Sequence, residues 1–119
     1  TMNRTHIEYR EKLQRQSQQL GSKLPEPMKA FASLHKASIA DGALSSKTKE
    51  LISLGIAITV RCEGCISYHV HDALKAGATA EEIVETIGVA ILMGGGPAMV
   101  YGCEALEALE QFLTQDEAV

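Results

Sequence analysis

Two cysteines and two histidines, Cys62, Cys65, His69 and His71, fall within ten positions in the stretch RCEGCISYHVHDALKAG of an otherwise alanine-rich chain. Such a set can be a redox dithiol, part of a zinc site, or two buried thiols beside unrelated histidines. Helical phase separates these readings. With Cys62 as origin, Cys65 falls at about 300° and His69 at about 340°, whereas His71 falls at about 180° and points away. Ile66, Val70, Ala73 and Leu74 occupy the sector from roughly 20° to 120° and face the core, so the thiols lie on the edge of the buried face, within reach of a small ligand. A structural zinc needs four converging ligands, and there is no second CxxC to complete Cys62, Cys65 and His69. Those three positions also spread along roughly 10 Å of helix, too far for one tetrahedral ion. No metal and no cofactor is expected.

A carboxylate comes from the preceding helix. If the two helices form a hairpin turning near Arg61, Glu50 lies about 15 Å before the turn and His69 about 12 Å after it, so they can face each other. Glu50 would then orient His69, and His69 would withdraw the proton from Cys65, four residues earlier on the same stripe. The Cys65 thiolate is the nucleophile, and Cys62 at the helix start resolves the oxidised form into a disulfide. The helix N-terminus favours thiolate, most strongly at Cys62. Two inert packed thiols with a satisfied histidine remain the bland alternative.

The elements that must position these groups are helices. Residues 4–19 are polar with sparse apolar positions at Ile7, Tyr9 and Leu13, which predicts a helix on the surface or against a partner. After the turn-rich GSKLPEP, Met28, Phe31, Leu34 and Ile39 have helical spacing, with His35 read as a surface or half-buried histidine. Asp41-Gly42 is a turn, and Ser45 or Ser46 caps a helix to about Val60. Its apolar residues surround nearly every face, which predicts central burial. The dithiol helix runs from Cys62 to about Lys75 and is closed by Gly77. Thr79 and Glu82 form a capping box for the next helix, which GGGP ends, and Pro97 is placed as the first residue of the last. The glycine run is not a phosphate loop, since no strand precedes it and no Lys-Ser/Thr follows. Strand alternation is absent, so the fold class is all-α: a single domain of about six helices with a central helical hairpin.

Composition agrees. The chain has 119 residues, 45% of them hydrophobic and 22% charged, which suits one globular domain, and aromatics at 4% leave a core of Ala, Leu, Ile and Val. A net charge of −4 without a basic face argues against nucleic acid. The apolar runs are interrupted before membrane-spanning length, so no membrane role is expected, and three cysteines with one close pair suit a cytoplasmic thiol protein. Cys103 is expected to be a small packed residue, Tyr68 and Tyr101 packing or interface groups, Met93 and Met99 core filler, and His71 a surface or subunit contact.

The pattern Glu50, Cys62, Cys65, His69 followed by HDALKAGATAEEI resembles the AhpD-like alkylhydroperoxidase branch of the carboxymuconolactone decarboxylase superfamily, most clearly over about residues 45–95. The resemblance implies Cys65 as the peroxide-attacking thiol, Cys62 as its resolving partner and His69 with Glu50 as the proton relay. It further implies an all-helical fold, assembly as a homotrimer or homohexamer, a small hydroperoxide substrate, and an external dithiol reductant that is lipoyl-bearing or thioredoxin-type. One departure is Gly64: some alkylhydroperoxidases carry a histidine between the two cysteines, and its help is missing here. Three functions compete. A thiol peroxidase or disulfide reductase needs Cys65; a decarboxylase or lactone-type enzyme would use His69 and Glu50 as acid and base and survive loss of both cysteines; a non-enzymatic redox-responsive assembly protein would change its packing with the disulfide.

Overall fold

The computed structural model describes residues 4–118, and their side chains as far as Gln115. Six helices follow one another: α1 (His6–Lys23), α2 (Pro25–Ile39), α3 (Ser46–Thr59), α4 (Glu63–Lys75), α5 (Ala80–Gly94) and α6 (Gly96–Ala118). No strand occurs among the described residues, so the chain is all-α with six helices, as the periodicity predicts.

Local sequence starts each helix. The Thr5 side chain accepts from the Glu8 amide while the Glu8 carboxylate accepts from the Thr5 amide, and Thr79 with Glu82 repeats this box at α5. Ser45 caps α3 by accepting from the Thr48 amide. Both boxed carboxylates sit below the usual carboxylate range, first because a backbone N–H donates to each. Glu82 is lowered further by Lys47, whose ammonium lies 3.0 Å away and ties α3 to α5. The break between α1 and α2 is a single residue, Leu24, which ends one helix and starts the next, with Pro25 at the first helical position, where no N–H is needed. α1 therefore runs four residues past the expected 19, to Lys23, and α6 begins at Gly96, one residue before Pro97.

The α3–α4 hairpin packs against α5 and α6, with α3 on α5 and α4 on α6. Leu54, Ile58, Ile66, Val70 and Ile83 are completely buried there, and each contributes about 1.5–3 kcal/mol by leaving water. Ala57, Ala73, Ala90, Ala105 and Ala108 let the helix axes approach closely, which is how a core short of aromatics fills. Ile66, Val70 and Ala73 occupy the predicted core-facing sector of α4.

Several expectations are corrected. α1 is no loose surface helix: it docks on α4 and α6, burying His6 completely and Ile7 in part. α3 is buried on one side only. Glu50, Leu54, Ala57 and Ile58 face inward, but Ile52, Ile56 and Val60 are exposed and line an apolar groove of about 520 Å³ against Val89 and Met93 of α5. A single protomer has neighbours for just one side of that helix. For the same reason Phe31 and Leu34 of α2 are exposed, Met93 is 75% exposed rather than core filler, and Met99 and Cys103 are also exposed.

α4 is entered and left through the same kind of turn. At its end Gly77 adopts φ +100°, its amide donates to Leu74, and the Ala78 amide donates to Ala73, a pattern that satisfies the last carbonyls of the helix. At the end of α3, Arg61 takes the equivalent place with φ +62°; its amide donates to Ile58 and that of Cys62 to Ala57. Glycine adopts this conformation without strain, whereas a residue with a Cβ pays about 1–2 kcal/mol for it. That strained residue immediately precedes the first cysteine.

Candidate functional site

The hairpin closes Glu50 onto His69. Glu50, 4% exposed despite its charge, projects from the second turn of α3, and its Oε1 lies 2.7 Å from Nδ1 of His69 on α4. A carboxylate can only accept, so Nδ1 carries the proton and Nε2 of the neutral ring is left with a lone pair. His69 is thus held in the tautomer a general base requires.

Cys62 is the N-cap of α4 and Cys65 stands in its first turn; the two are joined by a disulfide, with their Cα atoms 5.2 Å apart. The Cys62 sulfur also accepts from the Cys65 amide at 3.2 Å, the role a serine or aspartate usually fills. Both cysteines and His69 are half-buried, on the edge of the core rather than in it. In this oxidised state Cys65 has no proton to give, and His69 keeps its bond to Glu50. The structure pairs Cys62 with Cys65 and Glu50 with His69, with Cys65 and His69 four residues apart on α4, whereas His71 pairs with Asp72. His71 is half-buried, 2.8 Å from Asp72 Oδ1 and edge-on to Phe112 of α6 with ring centroids 5.4 Å apart.

Gly64, between the cysteines, has a structural reason. A Cβ placed on it would come 2.9 Å from Cδ1 of Leu13, so the Leu13 side chain of α1 sits directly over this position and would have to turn aside for any larger residue. Tyr68, on the same side, is covered as well. Burial raises its hydroxyl above the usual tyrosine range, and the Arg10 guanidinium lies 5.4 Å from the ring centre.

Two histidines carry more than the sequence reading gave them. His6 was passed over within the polar first segment, yet it is fully buried and bonded on every side. Ser67 donates to its Nδ1 at 2.5 Å, its Nε2 donates to Glu104 at 3.1 Å, and its backbone amide donates to Gln111 at 2.6 Å. The network pins α1 to α4 and α6. A histidine immediately before the first apolar-periodic position, Ile7, was the available signal, but its partners lie 61 and 98 residues away. His35 is exposed as expected, but it faces the site, with its ring centre 6.5 Å from that of His69.

Comparison with known proteins gives the architecture a lineage. Residues 25–108 match the carboxymuconolactone decarboxylase family. A Cupriavidus necator protein of uncharacterized function is 38% identical over 94 residues, covering 79% of this chain and 83% of that protein. An uncharacterized protein of the Paracoccus denitrificans cox locus is 43% identical over 82 residues, covering 69% and 74%. Among solved structures, the apo form of a carboxymuconolactone decarboxylase family protein from Legionella pneumophila superposes with a TM-score of 0.87 at 43% identity, covering 90% of this chain and 96% of that one. A Thermotoga maritima member, for which an involvement in antioxidative response has been suggested, superposes with a TM-score of 0.74 at 32% identity, covering 78% and 96%. With most of its helices matched in sequence and nearly all in space, the chain belongs to the carboxymuconolactone decarboxylase family.

Proposed function

We propose that the chain is a thiol-dependent peroxidase and disulfide reductase of the AhpD-like alkylhydroperoxidase branch, working through the Cys62–Cys65 dithiol. The observation that carries this reading is the disulfide at the start of α4 beside the 2.7 Å His69–Glu50 pair. In the reduced protein His69 Nε2 takes the proton of the Cys65 thiol. The thiolate sulfur attacks one oxygen of a hydroperoxide; an S–O bond forms as the O–O bond breaks, and the departing alkoxide leaves as the alcohol with the proton held on His69. Cys62 then displaces hydroxide from the Cys65 sulfenic acid, releasing water and forming the disulfide. An external dithiol, lipoyl-bearing or thioredoxin-type, returns the two electrons and two protons by thiol–disulfide exchange. The suggested antioxidative involvement of the Thermotoga protein supports the same direction.

Assembly as a homotrimer or homohexamer belongs to this reading. It is supported by the exposed apolar residues Phe31, Leu34, Ile52, Ile56 and Val89, which one protomer leaves uncovered. The deciding experiment is peroxide consumption by Cys65→Ser with a dithiol reductant. Turnover is expected to vanish, and undiminished turnover sinks the proposal. A decarboxylase-type activity on a small lactone or organic acid, with His69 and Glu50 as acid and base, would instead survive loss of both cysteines.

A further inference from the structure

We propose that His35, Glu50 and Asp72 form a binding site for a divalent transition cation of the zinc class, at the meeting of α2, α3 and α4. One imidazole nitrogen and one oxygen from each carboxylate all lie within 4.8 Å of one another. A tetrahedral zinc with bonds of about 2 Å holds its ligand atoms roughly 3.4 Å apart. His35 is exposed, so its side chain can turn toward the two carboxylates without disturbing the core.

Electrostatics point the same way. Glu50 is buried and Asp72 half-buried, and a cation placed among the three groups would be attracted by both carboxylates. The neighbouring donors are His69 on Glu50 Oε1 at 2.7 Å, His71 on Asp72 Oδ1 at 2.8 Å, and Arg10 at 4.0 Å from the same Asp72 oxygen. The His69 bond is the one hydrogen bond made to the Glu50 carboxylate among the described residues, so its other oxygen has a lone pair to offer. One imidazole and two carboxylates suit zinc, iron(II) or manganese(II), and three protein ligands leave a coordination position open. The ion would fasten α2, which buries no residue of its own, to the α3–α4 hairpin. This site is separate from the Cys62, Cys65 and His69 zinc cluster that helical phase argues against.

The test is a zinc titration of the full chain by calorimetry and thermal melting, with Cys62–Cys65 kept as the disulfide and Cys103 alkylated so that no thiol competes. One zinc per chain and a zinc-dependent rise in Tm are expected for the unsubstituted protein. His35→Ala and Asp72→Asn, both away from the buried core, are each expected to weaken binding about tenfold or more and to abolish the rise in Tm. No binding to the unsubstituted protein, or binding that neither substitution weakens, overturns the site.

Discussion

α4 takes part in two histidine–glutamate pairs, His69 with Glu50 of α3 and, through Ser67, His6 of α1 with Glu104 of α6, and the two differ in what they leave unused. His69 bonds Glu50 through Nδ1 alone, stands half-buried beside the dithiol and keeps a free Nε2. His6 reaches α4 from α1, is completely buried, and spends both ring nitrogens on Ser67 and Glu104. The residue types match and the separations are similar, 2.7 Å and 3.1 Å, so proximity to a carboxylate does not make a histidine chemically active. What differs is whether a ring nitrogen is left without a hydrogen-bond partner among the described residues. The saturated pair holds helices, and the half-used pair can move a proton.

The contrast breaks first at His69. His69→Gln is expected to slow peroxide turnover about 100-fold or more, the usual scale for losing a general base, with little change in Tm. Stopped-flow turnover beside thermal melting measures both, and an equal loss of stability would make His69 as structural as His6. His6→Ala should do the reverse. Removing it opens a cavity and orphans Ser67, at a cost of about 2–4 kcal/mol in denaturant unfolding, while the alkylation rate of reduced Cys65 in the folded protein stays near that of the unsubstituted chain. If His6→Ala leaves stability untouched, the buried network is not a staple.

Arg61→Gly sharpens the comparison at the entrance to the dithiol. Relief of the left-handed strain, reduced by the greater freedom of glycine in the unfolded chain, should raise stability by about 0.5–1 kcal/mol, read from the urea midpoint. A loss would mean that the Arg61 side chain makes a compensating interaction. The smallest effect is set at a distance from both pairs, by Glu82→Gln. Because folding lowers the Glu82 carboxyl, its stabilisation is present in full above the usual carboxylate range and is lost as pH falls through the folded value. The variant should therefore melt slightly lower than the parent at neutral pH and converge with it in acid, as a pH series of melting curves would show.

What was legible in the sequence was what lies close along it. The three-residue spacing of Cys62 and Cys65 allows their disulfide, although Cys62 is the extended N-cap and not part of the helix whose phase was used, and Glu50 opposite His69 follows from one hairpin. The capping boxes at Thr5 and Thr79 are written in four-residue patterns, although only the second was read. Contacts across the chain were hidden. His6 meets Ser67 and Glu104 only after α1 has docked, and His35 approaches Asp72 only because residues 40–45 bring α2 back to α3. The burial of α3 was overestimated because apolar residues on every face say that a helix wants cover, but not whether the same chain provides it.

The 2.9 Å approach of Leu13 to the place a Cβ would take on Gly64 links two stretches that look unrelated in sequence. A relative with a larger residue between the two cysteines needs a different side chain, or a different side-chain conformation, at the position of Leu13. Across homologues the residue at that position and the middle of the CxxC should therefore be inherited together, and grafting a histidine into this motif without also replacing Leu13 would change two things at once.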